Sequence, residues 1–131
     1  MISTAILPLM LATSPVAGAP EIPENLRKVK EAIWSKAPRA NHMASAKAER
    51  IMKANGCTPL TPTDTWEGIK VVVLMLVDGE GNVKQVTPIA NGCGAVEEYG
   101  AKHIAKNIKH FRSRPAGGKM SWYRAKIIYS W

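Results

Sequence analysis

The residues of this chain that are best suited to chemistry are its cysteines and histidines. Cys57 and Cys93 are the only cysteines, and an even count in a chain that begins like an exported protein favours a disulfide. Two free buried thiols are the alternative. The bond would join the loop before the first strand pattern to the loop before the last helical pattern. Closing a loop of this length contributes roughly 4 kcal/mol to stability in the chain-entropy model.

The histidines lack metal-ligand spacing. His103 and His110 lie on one helical pattern, but a separation of seven residues puts their positions roughly 10 Å apart along a helix axis. Shared ligation on a helix favours i, i+3 or i, i+4. No residue is placed to orient a Cys/His pair, and no serine-hydrolase, phosphate-loop or paired-carboxylate signature is present. We therefore expect no metal, no cofactor and no enzymatic activity.

The charge of the chain is strongly positive, with a formal net charge of +8 over 131 residues. All charged residues follow Ala19. An excess of basic residues attracts anions such as an acidic peptide, an anionic lipopolysaccharide surface or nucleic acid; a solvated basic surface is the simpler interpretation. The lysines are spread along the chain and no basic run is interleaved with aromatic residues, so we expect no nucleic-acid partner.

Residues 1–19 have the composition of a secretory signal peptide. Residues 2–19 carry no charge and end in small residues, which suits cleavage near Gly18 or Ala19. A membrane anchor formed by an uncleaved leader is the alternative. Pro8 and Pro15 interrupt its apolar stretch, which is shorter than the roughly 20 residues that a spanning helix needs. We therefore expect an exported protein without a stable transmembrane span.

The segment 20–56 contains two helical patterns. The first begins at Pro23 and runs to about Lys36. Its apolar residues at helical spacing are Leu26, Val29, Ile33 and Trp34. The second begins after Asn41, which can cap it, and ends at Ala54 before an Asn-Gly stop. Its expected apolar side consists of Met43, Ala44, Ala48, Ile51 and Met52.

Residues 57–131 have the pattern of one small α+β domain. A stiff loop, with Pro59 and Pro62, is expected up to Trp66. The run 69–77 is apolar on both alternating faces, which indicates a buried central strand. The glycine-containing turn 78–82 predicts a hairpin to a returning strand, 83–89. Pro88 near its end predicts that this strand lies at a sheet edge or stops there.

A helix and a final strand complete the pattern. Apolar residues near a 3.6 period predict a helix from Gly94 to Phe111 that packs across the sheet. The final strand, 121–131, has two different sides. The side expected to meet the helices is Tyr123, Ala125, Ile127, Tyr129 and Trp131. The side expected to be partly solvated is Trp122, Arg124, Lys126, Ile128 and Ser130.

This order of elements resembles the C-terminal domain of TonB, the periplasmic energy transducer. The matching stretch reads GIKVVVLMLVDGEGNVKQVTPIANGCGAVEEYGAKHIAKNIKHFRSRPA. The elements that carry the resemblance are Gly68, the Asp78-Gly79 turn, the strand 81–86, the helix opening 91–94 and the aromatic-Arg-x-x-Pro run 111–115. The resemblance covers residues 66–131. His110 stands where the family often has tryptophan, and the chain lacks the long proline-rich spacer of a complete transducer.

The resemblance implies a fold and a division of the chain. The expected fold is α+β, with a three-stranded antiparallel sheet in the order β-β-α-β, the final helix on one face and two helices before it, as in TonB and TolA C-terminal domains. The long hairpin strand would lie in the middle and the last strand at an exposed edge. The expected units are a signal peptide (1–19), an N-terminal helical segment (20–56) and a TonB C-terminal-like domain (57–131).

The resemblance also implies a binding role. An exposed edge can accept an extended segment of another protein by strand addition. In the TonB family the segment belongs to an outer-membrane receptor and the capture serves energy-coupled transport in the periplasm. The expected partner-binding residues are Trp122, Tyr123, Arg124, Ala125, Lys126, Ile127 and Ile128. Arg124 and Lys126 would meet acidic side chains of the guest, or else only guard the edge. A free exported binding, inhibitory or structural envelope domain without a transport role is the alternative function.

Overall fold

A five-stranded mixed sheet with two α-helices forms the described part of the chain. The computed structural model describes residues 17–58, 60–63 and 66–131. The predicted signal peptide lies outside the described residues as far as residue 16. The strands and helices, in chain order, are β1 (Lys30–Glu31), α1 (His42–Ala54), β2 (Leu60–Thr63), β3 (Trp66–Val77), β4 (Val83–Pro88), α2 (Gly94–Lys106) and β5 (Ser121–Ser130).

β3 is the central strand of the sheet. β5 pairs antiparallel with it from Gly68 to Val77, and β4 pairs antiparallel with it from Val73 to Val77 on the other side. β2 pairs antiparallel with the beginning of β3. β1 lies beyond β5 and pairs with it in parallel. The prediction of a central strand in this run is therefore confirmed, and the α+β class holds.

The predicted three-stranded antiparallel sheet is wrong, because β1 and β2 extend it and β1 makes it mixed. β2 falls in the stretch predicted to be a stiff loop. A proline is compatible with an edge strand, where its missing N–H need not face a neighbour, so Pro62 did not exclude pairing there. β1 falls in the stretch predicted to be the first helix.

That first helix, predicted from Pro23 to Lys36, is also wrong. Asn25 caps only one 3-10 turn, Leu26–Lys28. The chain then extends because distant groups bind its main chain: the Ala32 N–H donates to the Arg124 carbonyl at 2.8 Å, and the Ile33 N–H donates to Ser113 Oγ at 2.8 Å. Ile33 is 65% exposed. Hydrogen bonds to residues distant in sequence therefore decide the conformation of this segment, although its apolar residues have helical spacing.

α1 confirms the second predicted helix of the N-terminal segment. The Asn41 side chain accepts a hydrogen bond from the Ala44 N–H at 2.8 Å, as expected for an N-cap. Ala48 and Met52 are buried, but Met43 is 80% exposed, so the apolar side of the helix is narrower than predicted. Ser45 is buried instead.

The β3–β4 hairpin is confirmed by its turn. Asp78 Oδ1 accepts hydrogen bonds from the N–H groups of Glu80 and Asn82, each at 2.9 Å. Gly81 has φ of +90°, which glycine adopts without steric cost. The hydrogen bond from the Asn82 N–H is the main reason that the pKa of Asp78 lies below its usual value. The fixed turn sets the register of β4.

Two side-chain hydrogen bonds order the segment that leads into α2. Asn91 Oδ1 accepts from the Cys93 N–H at 3.0 Å, and Glu97 Oε2 accepts from the Asn91 N–H at 2.8 Å. The helix is shorter than predicted, because it ends at Lys106 and a 3-10 turn, Ile108–His110, follows. Glu97 therefore ties the first turn of the helix to the preceding loop, while the N-cap residue, Cys93, makes no side-chain capping bond.

The main core lies between the sheet and the helices. It contains the alternate side chains of β3 and β5 together with residues from both helices. On the predicted inward side of β5, Tyr123, Ala125, Ile127 and Tyr129 are buried, whereas Trp131 follows the strand and is half-buried against the core. Gly100 of α2 packs so close to β3 that an added Cβ would lie 2.7 Å from the side-chain carbons of Val71. A residue without a side chain lets the helix approach the sheet at this point.

The predicted disulfide between Cys57 and Cys93 is confirmed, with a Cα–Cα distance of 5.8 Å. Cys57 follows α1 and Cys93 precedes α2, so the bond joins the two helices covalently. A disulfide is typical of proteins from oxidising compartments, and the bond is therefore compatible with an exported protein. Within the described residues, every helix is too short or too polar to cross a membrane.

Replacing Gly100 with alanine should destabilise the protein by roughly 1–3 kcal/mol, because the new methyl group overpacks the contact with Val71. Gly94→Ala in the same helix is the matched control, since nothing lies within 4 Å of its added Cβ. Urea denaturation of both variants measures the difference. Equal stabilities would show that the contact between α2 and β3 is loose.

Reducing the Cys57–Cys93 bond should lower the free energy of unfolding by about 4 kcal/mol, since the bond spans 36 residues of sequence. Urea denaturation with and without reductant measures the effect, and mass spectrometry of the same samples reports whether the bond was reduced. An unchanged midpoint in fully reduced protein would contradict the prediction.

Candidate binding edge

The outer border of β5 is the candidate binding site. Glu67 and Trp131 exchange both main-chain hydrogen bonds, at 3.0 and 3.3 Å, so the antiparallel register alternates from that pair. Odd-numbered residues of β5 therefore bond to β3, and even-numbered residues direct their N–H and C=O groups away from it. Among the described residues, no main-chain partner meets the outward groups of Lys126 or Ile128.

The open stretch is closed at both ends by the chain itself. At one end, β1 pairs with Tyr123 and Arg124, and the Arg124 carbonyl accepts from the Ala32 N–H. At the other end, the Ser130 N–H donates to Ser45 Oγ of α1 at 3.2 Å. The available edge is therefore a short notch around Lys126, Ile127 and Ile128. An added strand longer than this notch has to bend away or displace β1.

The face of the sheet opposite the helices, here called the outer face, is partly covered by the N-terminal segment. Trp122 Nε1 donates to the Pro20 carbonyl at 2.8 Å, and the Arg124 guanidinium donates to the Leu26 carbonyl at 3.0 Å. Leu76, the register partner of Trp122, is fully buried although it faces away from the helices. Farther along β5, Ile128 is 44% exposed. The N-terminal segment thus covers the outer face only as far as the notch.

A groove of about 720 Å³ lies where the cover stops, a volume within the range of ligand-binding clefts. Its apolar lining includes Leu26, Ala32, Trp34, Pro38, Val72 and Ile89. Its charged lining consists of Arg27, Lys70, Arg124, Lys126 and Glu31. Since Glu31 lies 3.2 Å from Arg124 and forms an ion pair with it, the groove has an apolar floor and an excess of positive charge next to the open main chain.

The predicted binding residues separate into three groups in the structure. Trp122 and Arg124 are half-buried and engaged with the N-terminal segment. Tyr123, Ala125 and Ile127 are buried, and their main-chain groups bond to β3. Lys126 and Ile128 are exposed and open at the edge. Of the predicted binding residues, only these last two have outward main-chain groups without a main-chain partner in the described part of the chain.

The structure adds residues to the edge that the sequence argument missed. Ser45 lies in a helical pattern and Glu31 in a stretch predicted to be helical, so neither is recognisable as an edge neighbour from local periodicity. The alternation of β5 was the usable signal, because it predicted that the Lys126 side of the strand is solvated. The partners of that side come from segments distant in sequence.

The histidines have separate partners. The His103 Nδ1 lies 3.0 Å from the Tyr129 hydroxyl, while His110 Nδ1 lies 3.4 Å from Ser35 Oγ. Burial, and then the charge of Lys106, lower the pKa of His103. Among the described residues, His, Cys, Asp and Glu do not come together in a group that could hold a metal ion.

No family model matches this sequence, and neither a curated protein nor a solved structure matches the chain. The resemblance of residues 66–131 to the TonB C-terminal domain therefore stays a prediction from the sequence.

Lowering the pH from 7.5 to 5 should destabilise the protein through His103. The folded state lowers the pKa of His103 below 6.5, so the unfolded state takes up the proton more readily. This contribution to stability is fully present above pH 6.5 and is lost as the pH falls through the folded-state pKa. Urea midpoints across this range should decline less in His103→Gln than in His42→Gln, the matched control. Equal declines would contradict the assignment.

Proposed function

We propose that this protein is a binding module that captures an extended segment of another protein by strand addition at the notch of β5. The observation that carries the proposal is that the outward main-chain groups of Lys126 and Ile128 have no main-chain partner among the described residues and lie beside a basic groove with an apolar floor. Main-chain groups at a sheet edge pair with any extended segment, and neighbouring pockets select its side chains.

The charge of the groove supports an acidic guest. Lys126 and Lys70 are both exposed, and Arg27 joins them in the lining. Opposite charges across an interface favour encounter and set the register of the bound segment. Val72 and Ile89 of the same groove add an apolar contact. The guest that fits is an extended segment with an acidic residue next to an apolar one.

The short notch implies weak capture. Pairing at Lys126 and Ile128 offers few main-chain hydrogen bonds, and each contributes only about 0.5–1.5 kcal/mol net. Ordering the guest opposes this gain. Contacts in the groove must therefore supply much of the affinity. We expect reversible binding with a dissociation constant in the micromolar range or higher, which corresponds to a binding free energy of roughly −8 kcal/mol or a less negative value.

The partner that follows from the TonB resemblance is an outer-membrane receptor or another envelope protein, bound in the periplasm during energy-coupled transport. The disulfide supports an exported location, since such bonds persist in oxidising compartments. The basic groove supports a protein guest with acidic side chains.

A free exported binding or inhibitory domain without a transport role is the second candidate. The observation that favours it is the self-covered edge: Tyr123 and Arg124 are already paired with β1. A guest then meets only the short notch, which suits regulated or transient binding of an envelope protein.

Proline substitution tests strand addition directly. The probe is a linear peptide selected from a random display library against the oxidised full chain. Lys126→Pro should weaken its binding about fivefold or more relative to Lys126→Ala, because proline also removes an outward N–H worth about 1 kcal/mol. The ratio of dissociation constants from isothermal titration calorimetry gives the result. Ile128→Pro and Ile128→Ala form a second matched pair.

The controls separate binding from folding. Ile127→Pro should unfold the protein, because its N–H belongs to the ladder with β3, whereas Lys126→Pro should retain the circular dichroism spectrum and a cooperative melt. An N-methylated version of the peptide should lose binding. Selected peptides that perturb the amides of β4 rather than those of Lys126 and Ile128 would contradict the proposal.

A further inference from the structure

We infer that residues 17–31, here called the cover segment, are a displaceable competitor for the edge of β5, and that their release lengthens the site available to a guest. This inference rests on the proposed function and concerns the regulation of that site. The side-chain hydrogen bonds from β5 to the cover segment come from Trp122 and Arg124.

Few side-chain hydrogen bonds join the cover segment to β5. The Arg124 guanidinium donates to the Leu26 carbonyl at 3.0 Å and to Glu31 Oε1 at 3.2 Å, and Trp122 Nε1 donates to the Pro20 carbonyl at 2.8 Å. β1 contributes a pairing of only 2 residues. An exposed ion pair contributes little to stability.

The apolar anchoring of the cover segment depends on one residue. Every side chain from residue 17 to 28 is exposed or half-buried, and Val29, 4% exposed, is the first buried one. Few buried apolar contacts are characteristic of segments that open locally, at a free energy well below that of global unfolding.

The chain directly after the cover segment is held much more firmly. Ile33 donates its N–H to Ser113 Oγ and accepts from the Arg112 N–H, both at 2.8 Å. The Trp34 and Phe111 rings pack edge to face with centroids 5.5 Å apart. The difference in anchoring places the hinge at Ala32, between the loosely held cover segment and the firmly held residues Ile33 and Trp34.

Release of the cover segment would make the notch continuous with the rest of β5. The outward main-chain groups of Arg124 would become available beside those of Lys126 and Ile128, since all are even-numbered residues of the same strand. The Arg124 guanidinium would lose its partners Leu26 and Glu31 and could bind a carboxylate of the guest. Glu31 thus occupies, in the closed state, the place that an acidic residue of the guest would take.

Native-state hydrogen exchange tests the opening without any guest. The Ala32 N–H, bonded to the Arg124 carbonyl, should exchange at least about tenfold faster than the Ala125 and Ile127 amides, which belong to the ladder with β3. The Arg124 amide should follow Ala32. Equal protection at all four amides would overturn the inference, because the cover would then leave only on global unfolding.

Binding of the selected peptide tests the competition. Val29→Ala removes the apolar anchor without changing charge, so the open fraction should rise and the peptide should bind about threefold tighter or more. Ile22→Ala is the matched control in the same segment, since Ile22 is 45% exposed, and it should leave the affinity unchanged. Hydrogen exchange should become faster at Ala32 in Val29→Ala alone.

The failures of the two proposals are distinguishable. A peptide that binds at Lys126 and Ile128 with the same affinity in Val29→Ala, while the Arg124 amide stays protected, would overturn the competition and leave strand capture standing. Failure of every selected peptide to reach the edge, with fast exchange at Ala32, would overturn strand capture and support the opening of the cover.

Discussion

The pairing of β5 with β3 is the constraint on which the rest of the structure depends. It runs from Gly68 paired with Ser130 to Val77 paired with Ser121, and its register decides two things at once. Odd-numbered side chains of β5 enter the core beneath the helices, and the same residues bond to β3. Even-numbered residues therefore carry both the solvated side chains and the outward main chain. A shift of one residue would exchange the core with the candidate site.

The helices stabilise this pairing from one side only. Gly100 allows α2 to approach Val71 closely, and α1 reaches the end of β5 through the bond between Ser45 and Ser130. In the described part of the chain, neither α-helix lies on the outer face, and the N-terminal segment covers that face in part. This asymmetry explains why the chain has a well-packed interior and, next to it, a groove and an incomplete edge.

Local patterns were sufficient to predict the elements whose partners are close in sequence. The turn at Asp78, the cap at Asn41 and the alternation of β5 are signals carried by a few adjacent residues, and each of these predictions is confirmed. The disulfide was predictable because the chain has only Cys57 and Cys93. These features fix the central strand, the hairpin and the inward side of the last strand.

The errors arise where distant residues decide the conformation. Residues 30–33 have helical spacing, but their main-chain groups bond to Arg124 and Ser113, which no local window contains. Because of the same bonds, the edge of β5 is a short notch and not the fully open edge that was predicted. The alternation of β5 therefore predicts its solvated side correctly, whereas the cover over part of that side depends on residues distant in sequence.

The disulfide has a mechanical consequence. Cys57 and Cys93 are joined across 36 residues of sequence, and the β2–β3–β4 part of the sheet lies entirely within that loop. If the two termini were pulled apart, tension would pass from Cys57 to Cys93 through the sulfur atoms and would never stretch the enclosed residues. The fully extended chain would be shorter by roughly 120 Å at about 3.3–3.6 Å per residue. The central strand would thus remain inside the disulfide-closed loop even after β5 had separated from it.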